Sequence, residues 1–196
     1  MNITVQYMAD NYNKTFPNYP PLVCTSRWLY GVWMIGNDYR NKTTFYGAYP
    51  ARYLDRVMSM FPDAGNILHL FSGSLPKGNY TRFDLIQEAD VQGDAHKLSS
   101  YFLPESFNLI LADPPYSNQD ADRYGTSMVN RNTVVKECYK ILKPSGFLIW
   151  LDCVLPMYRK DQFELVGTIG LIRSTNHRFR VVSIFRRGEL NGVINA

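Results

Sequence analysis

Cysteine is scarce in this chain of 196 residues. Cys24, Cys138 and Cys153 stand far apart, with no C-x-x-C pair among them. An odd, scattered set argues against a disulfide framework or a thiolate zinc centre and for a reducing compartment. Long apolar runs are missing too, since none approaches the roughly 20 residues that a membrane-crossing helix needs. The opening MNITVQYMADNYNKTF lacks the basic start and apolar stretch of a secretory leader. The expectation is a cytoplasmic protein with no membrane partner. Acid is not in excess either: 21 Lys and Arg against 17 Asp and Glu give a net charge of +4. That balance suits an anionic partner. No internal repeat, low-complexity linker or metal-ligand cluster stands out.

What is present is an ordinary globular composition, 45% hydrophobic and 19% charged, which rules out disordered and collagen-like readings. The length suits one domain with a full core. The 14 Tyr and 11 Phe residues are mostly core material, although exposed rings suit stacking against flat ligands.

Residues 1–26 are rich in Asn, Tyr and Pro and show no clear period, so an irregular N-terminal arm is expected, extending to residue 44. WLYGVWMIGNDYRN (28–41) fits neither helix nor strand cleanly. In PARYLDRVMSMF, Tyr53, Leu54, Val57, Met58 and Phe61 fall at helical spacing after Pro50 and end before Pro62. Short apolar runs follow at NILHLF, TRFDLIQ and ADVQGDA, and FNLILA (107–112) is the clearest strand. In SMVNRNTVVKECYKIL, Val135, Cys138, Tyr139 and Leu142 predict an amphipathic helix closed by KPSG. FLIWLD, FELVGTIGLI and FRVVSIF complete the strands. Continuous rather than alternating apolar strands imply a sheet covered on both faces, and strands interleaved with helices imply a mainly parallel α/β sheet. The single domain is expected over residues 45–196.

FNLILA runs directly into Asp113, Pro114, Pro115 and Tyr116. In an open parallel sheet, ligands lie beyond the carboxyl ends of the strands, where this tetrapeptide falls. Each proline fixes φ and removes a backbone donor, so the surrounding carbonyls are stiffly held. A carboxylate, a rigid carbonyl and an aromatic plate match a planar heterocycle with an exocyclic NH2. The lone pair of such an amine is delocalised and weakly nucleophilic. Two fixed acceptors help it pyramidalise and aim at an electrophile, which is catalysis by positioning and preorganised electrostatics.

The Asp-Pro-Pro-Tyr sequence resembles motif IV of the S-adenosylmethionine-dependent amino-methyltransferases, which methylate adenine N6 or cytosine N4 in DNA. Relatives of that family methylate guanine N2 in ribosomal RNA. ILHLFSGS is similar to the family's cofactor turn, ADVQGDAHKL to the stretch whose acid faces the cofactor adenine, and ILKPSGFLIWLD to its helix–turn–strand after motif IV. The likeness covers about residues 45–187. It implies a Rossmann-like class I methyltransferase fold with a mainly parallel, doubly wound sheet and an antiparallel C-terminal strand. It implies S-adenosyl-L-methionine as cofactor, with Asp113, Pro114, Pro115 and Tyr116 as the catalytic group. Phe71, Ser72, Gly73, Ser74, Asp84, Asp94, Ala95 and Tyr49 would bind the cofactor, the last as part of TTFYGAYP with Tyr46, Gly47 and Pro50. A turn capping the next helix is the other reading of that segment.

Two features depart from the family pattern. His69 stands where the first strand usually carries an Asp, and Leu75-Pro76 replaces later glycines. His69 is either near the cofactor or a core residue. The distance from Gly73 to Asp84 is too short for a full helix. Either that helix is reduced to a loop and Asp84 grips the ribose, or Glu88 or Asp90 does.

The polar loop SNQDADRYGTSMVNR and the basic stretch RSTNHRFR supply the expected substrate contacts: Ser117, Arg123, Arg131, Arg178 and Arg180. Residues 158–187 carry Lys or Arg at seven positions against Asp161 and Glu164. A nucleic acid partner is implied, DNA ahead of RNA, with salt-sensitive binding. A charged sheet edge is the plainer alternative. Sequence-specific relatives add a recognition region, so either recognition is brief or loose here or a homodimer or partner chain supplies it. A catalytically silent subunit of a methyltransferase complex is the reading from a different class.

Overall fold

The computed structural model describes residues 3–36, 48–173 and 178–188. Tyr46 and Gly47, and residues 174–177 of the basic stretch, lie outside the described residues.

The N-terminal segment is not irregular. Residues Val5–Thr15 form helix α1, started by Thr4, whose hydroxyl oxygen accepts the Tyr7 N–H at 3.1 Å. Its buried residues Val5, Met8, Ala9 and Tyr12 repeat at helical spacing. The polar residues between those positions, among them Asn11 and Asn13, hid that stripe from a reading by composition. Strand β1 (Val23–Cys24) and strand β2 (Leu29–Ile35) then pair as a hairpin, so the ambiguous aromatic segment is a strand.

Helix α2 (Tyr53–Met60) occupies the expected place and stops before Pro62. Strands β3 (Ile67–Leu70), β4 (Thr81–Asp84) and β5 (Val91–Gln92) follow, then a 3-10 turn over Ala95–Ser100 and strand β6 (Phe107–Ala112). The short helix α3 (Asn118–Arg123) and helix α4 (Arg131–Ile141) precede strands β7 (Leu142–Asp152), β8 (Phe163–Arg173) and β9 (Phe179–Arg187).

All nine strands join one sheet in the order β1-β2-β8-β9-β7-β6-β3-β4-β5. Every pairing is parallel except those of β9 with β7 and β8 and of β1 with β2. The result is a Rossmann-like, mainly parallel sheet with an antiparallel C-terminal strand. No helix separates β3 from β4, where ten residues make the connection as a loop.

Helices α1 and α2 cover one face. Tyr12 stacks on Trp33 at 5.6 Å between centroids, and the buried Arg56 donates to the Tyr12 hydroxyl at 3.2 Å. Helix α4 and the 3-10 turn cover the other face over β3, β6 and β7, burying Leu68, Ile110, Leu148 and Trp150. The expectation of two fully covered faces fails beyond β7. Tyr30, Val32 and Met34 on β2 and Phe179 on β9 are exposed apolar side chains. On β2 they alternate with the buried Leu29, Trp33 and Ile35 and project from the face that α4 covers over β3, β6 and β7 but not here. No helix among the described residues is long and apolar enough to cross a membrane.

Candidate active site

The carboxyl ends of β3, β4 and β6 converge on one cleft of about 830 Å³, within the range of ligand sites. Strand β3 leaves the sheet through Phe71, Ser72 and Gly73. Phe71 has φ 56° and Gly73 φ 53°. A left-handed aromatic residue is strained, which is a recurrent feature of functional turns. The turn is tied to β4: the Ser72 N–H donates to the Phe83 carbonyl at 3.2 Å and the Gly73 N–H to Asp84 Oδ2 at 2.9 Å.

Asp84 is held firmly. Its Oδ1 accepts the Ile86 and Gln87 N–H groups at 3.0 and 2.9 Å, leaving Oδ2 with only the Gly73 bond. Asp90 faces away from the cleft, where the buried Arg82 takes both of its oxygens at 3.0 and 3.2 Å. Glu88 does not line the cleft either, so of the three acids only Asp84 lies on its wall.

Asp94 and Ala95 line the same wall, beside His96. Asp94 Oδ1 accepts from the His96 backbone at 2.9 Å and from ring Nδ1 at 2.6 Å. The Asn130 N–H donates to His96 Nε2 at 2.9 Å, so the ring is the neutral Nδ1–H tautomer. Burial pushes the Asp94 carboxyl up, but the His96 bonds outweigh it and hold it below the ordinary range. Nothing in periodicity singled out His96. Its place two residues after the acid was the available signal.

At the other end, β6 delivers Asp113, Pro114, Pro115 and Tyr116 into the cleft. Both prolines are buried. The Tyr116 hydroxyl donates to Asp113 Oδ1. Burial raises the Asp113 carboxyl to about 7, against the lowering effects of that bond and of the Arg180 charge. Burial and the Asp113 charge push the Tyr116 phenol well above its usual range.

Arg123, Arg173, Arg178 and Arg180 line the cleft around this end. Arg178 pairs with the buried Asp120 at 2.9 Å. Tyr49 lines the cleft at the end where β3 leaves the sheet, and its hydroxyl lies 3.3 Å from His69 Nδ1. His69 itself is a core residue, flanked by Tyr49 and Tyr80 and held down to about 4 by burial.

Four expected site residues are not brought to the cleft wall. Ser72 turns inward, its Oγ buried without a partner. Ser74 lines a smaller neighbouring hollow with Pro50 and Pro76. Ser117 caps α3, accepting the Asp120 N–H at 3.2 Å. Arg131 is spent on Asp152 and the Tyr116 carbonyl. A local cap claims Ser117, and a tertiary ion pair claims Arg131.

No protein-family model matches the chain, and no curated protein matches it. Among solved structures, TrmN from Thermus thermophilus superposes with a TM-score of 0.44 at 16% identity, over 63% of this chain and 44% of TrmN. The chain therefore spans less than half of TrmN. The N-methyltransferase NodS from Bradyrhizobium japonicum WM9, in complex with S-adenosyl-l-homocysteine, gives 0.43 at 14% identity, over 64% of this chain and 79% of NodS. The PH0226 protein from Pyrococcus horikoshii OT3 gives 0.43 at 15% identity, over 76% and 97%. Likeness at this level leaves function to the chemistry of the cleft.

Proposed function

We propose that the chain is an S-adenosylmethionine-dependent methyltransferase acting on the exocyclic amine of a nucleobase, adenine N6 in DNA before guanine N2 in RNA or cytosine N4 in DNA. The observation that carries this reading is a single cleft holding two chemistries. The strained turn with the acids Asp84 and Asp94 lies at one end, and the Asp113–Tyr116 clamp lies at the other.

The cofactor fits the residues present. The free acceptor position on Asp84 Oδ2 suits a ribose hydroxyl, and the left-handed turn at Phe71 and Gly73 lets backbone approach the methionine end. Asp94 and Ala95 would flank the adenine, and Tyr49 the outer rim. When bound, the cofactor supplies an electrophilic methyl group on a sulfonium.

The chain's own residues do the rest. Asp113 and the Pro114 carbonyl take the two amine N–H groups, and Tyr116 stacks on the ring. In the resting cleft the Tyr116 hydroxyl already occupies one Asp113 oxygen, so the incoming amine bonds the other or displaces it. The amine's proton leaves to Asp113 or water after the methyl has moved. A carboxyl poised at about 7 suits that proton near neutrality. A duplex substrate requires the base to be flipped out of the stack. Arg123 and Arg178 at the mouth suit phosphate contacts.

The loop in place of a helix between β3 and β4 favours a second reading, a silent subunit that keeps the base pocket without binding cofactor. Calorimetry and a transfer assay on wild type and Asp113→Ala separate the two. The enzyme reading expects cofactor binding by both proteins and transfer only by wild type. No cofactor binding by wild type assigns the silent role, and normal transfer by the mutant removes Asp113 from the mechanism.

A further inference from the structure

Arg180 sits at the start of β9 beside the clamp. Only 6% of it is exposed, and its Nε is buried with no hydrogen-bond partner. Its guanidinium carbon lies 4.7 Å from the centroid of the Tyr116 ring, and it lines the cleft with Asp113. Two other arginines of this region are taken up by acids. Arg178 is committed to Asp120 at 2.9 Å, and Arg131 to Asp152 at 2.6 Å.

A buried guanidinium with an unused donor is costly unless a ligand supplies the missing acceptor. A phosphate is a poor candidate, because phosphate-tracking arginines belong on an open rim and Arg180 is within the wall. A flat ligand gripped at its amine by Asp113 brings its adjoining ring atoms against this same wall. Among planar heterocycles, the atom next to the amine-bearing carbon is an acceptor nitrogen in adenine (N1), cytosine (N3) and guanine (N3).

Resting on the function proposed above, we propose that Arg180 reads this edge, donating to the ring nitrogen beside the amine while Asp113 accepts from the amine itself. The cleft then selects a donor and an acceptor side by side, an amidine edge. Aliphatic amines and simple anilines lack the acceptor and are rejected. A paired contact of this kind discriminates strongly, because a substrate without the acceptor leaves the buried donor unpaired.

The test measures kcat/KM on random-sequence pools of the nucleic acid that wild type methylates. Each pool contains either the natural base or its analogue lacking the ring nitrogen beside the amine: 1-deazaadenine, 3-deazacytosine or 3-deazaguanine. Wild type is expected to lose about ten- to hundredfold on the analogue. Arg180→Met should be slower on the natural base by a similar factor and indifferent to the analogue, and Arg180→Lys should fall between. Wild type treating base and analogue alike overturns the inference without need of any variant. Arg180→Met weakening both pools equally and lowering the salt slope by about one assigns Arg180 to a phosphate instead, which also overturns it. Wild type transferring no methyl to any nucleic acid defeats the parent function, and this inference with it.

Discussion

Arg131 grips Asp152 through two nitrogens, at 2.6 and 3.2 Å, and from the same guanidinium donates to the Tyr116 carbonyl at 3.2 Å. Asp152 is 1% exposed and also accepts from the Trp150 indole at 3.3 Å. The end of β7 thus braces the last residue of the clamp. In the proposed mechanism this makes Arg131 a positioning residue. Arg131→Met strands a buried carboxylate and should cost about 3–5 kcal/mol in urea unfolding, with most of it recovered in the Arg131→Met, Asp152→Asn double variant. In both variants kcat should fall with the cofactor Kd little changed. A parallel rise in cofactor Kd would place Arg131 elsewhere in the mechanism.

Asp113 makes the fold pH-sensitive. Its carboxyl stands at about 7 when folded against an ordinary value of 3.8. The stability it contributes is complete below the unfolded value and is lost as pH rises through about 7. Asp113→Asn should therefore match wild type in Tm near pH 4 and exceed it at pH 8, the gap opening between those values. A gap that closes with rising pH contradicts the burial argument.

The same titration should appear in the rate. In the proposed mechanism Asp113 acts as the carboxylate, so kcat/KM for the nucleic acid should rise with pH and level off above about 7. Tyr116→Phe keeps the ring and removes the hydroxyl that lowers the Asp113 value, so its profile should move to higher pH. An unchanged midpoint would mean that another group controls the profile.

Binding should be salt-dependent through the mouth of the cleft. A log–log plot of affinity against salt for wild type should have a negative slope, and Arg178→Gln should reduce its magnitude by about one. Equal slopes would remove Arg178 from the phosphate path, leaving it as the partner that holds Asp120.

The elements legible in the sequence were those with their own periodicity or a continuous apolar run, such as α2, α4, β6 and β7. Helix α1 was obscured because its stripe of Val5, Met8, Ala9 and Tyr12 is diluted by the polar residues between those positions. Strand β2 was obscured because its outer residues Tyr30, Val32 and Met34 are apolar although exposed, which erases alternation. The clamp could be located because it directly follows the clearest strand. Arg131 is drawn off the cleft wall by a tertiary pair with Asp152 that is invisible in one dimension, and Ser117 by its cap on α3. Arg180 was legible as a basic residue, but its burial was not.

The most direct test of the account is nucleoside mass spectrometry after incubating the purified chain with isotope-labelled S-adenosylmethionine and separate DNA and RNA pools. Labelled N6-methyladenine is expected in the DNA, and its loss in Asp113→Ala. Finding no labelled methyl group on any exocyclic nucleobase amine in either pool, from a wild-type protein that binds the cofactor, would contradict it.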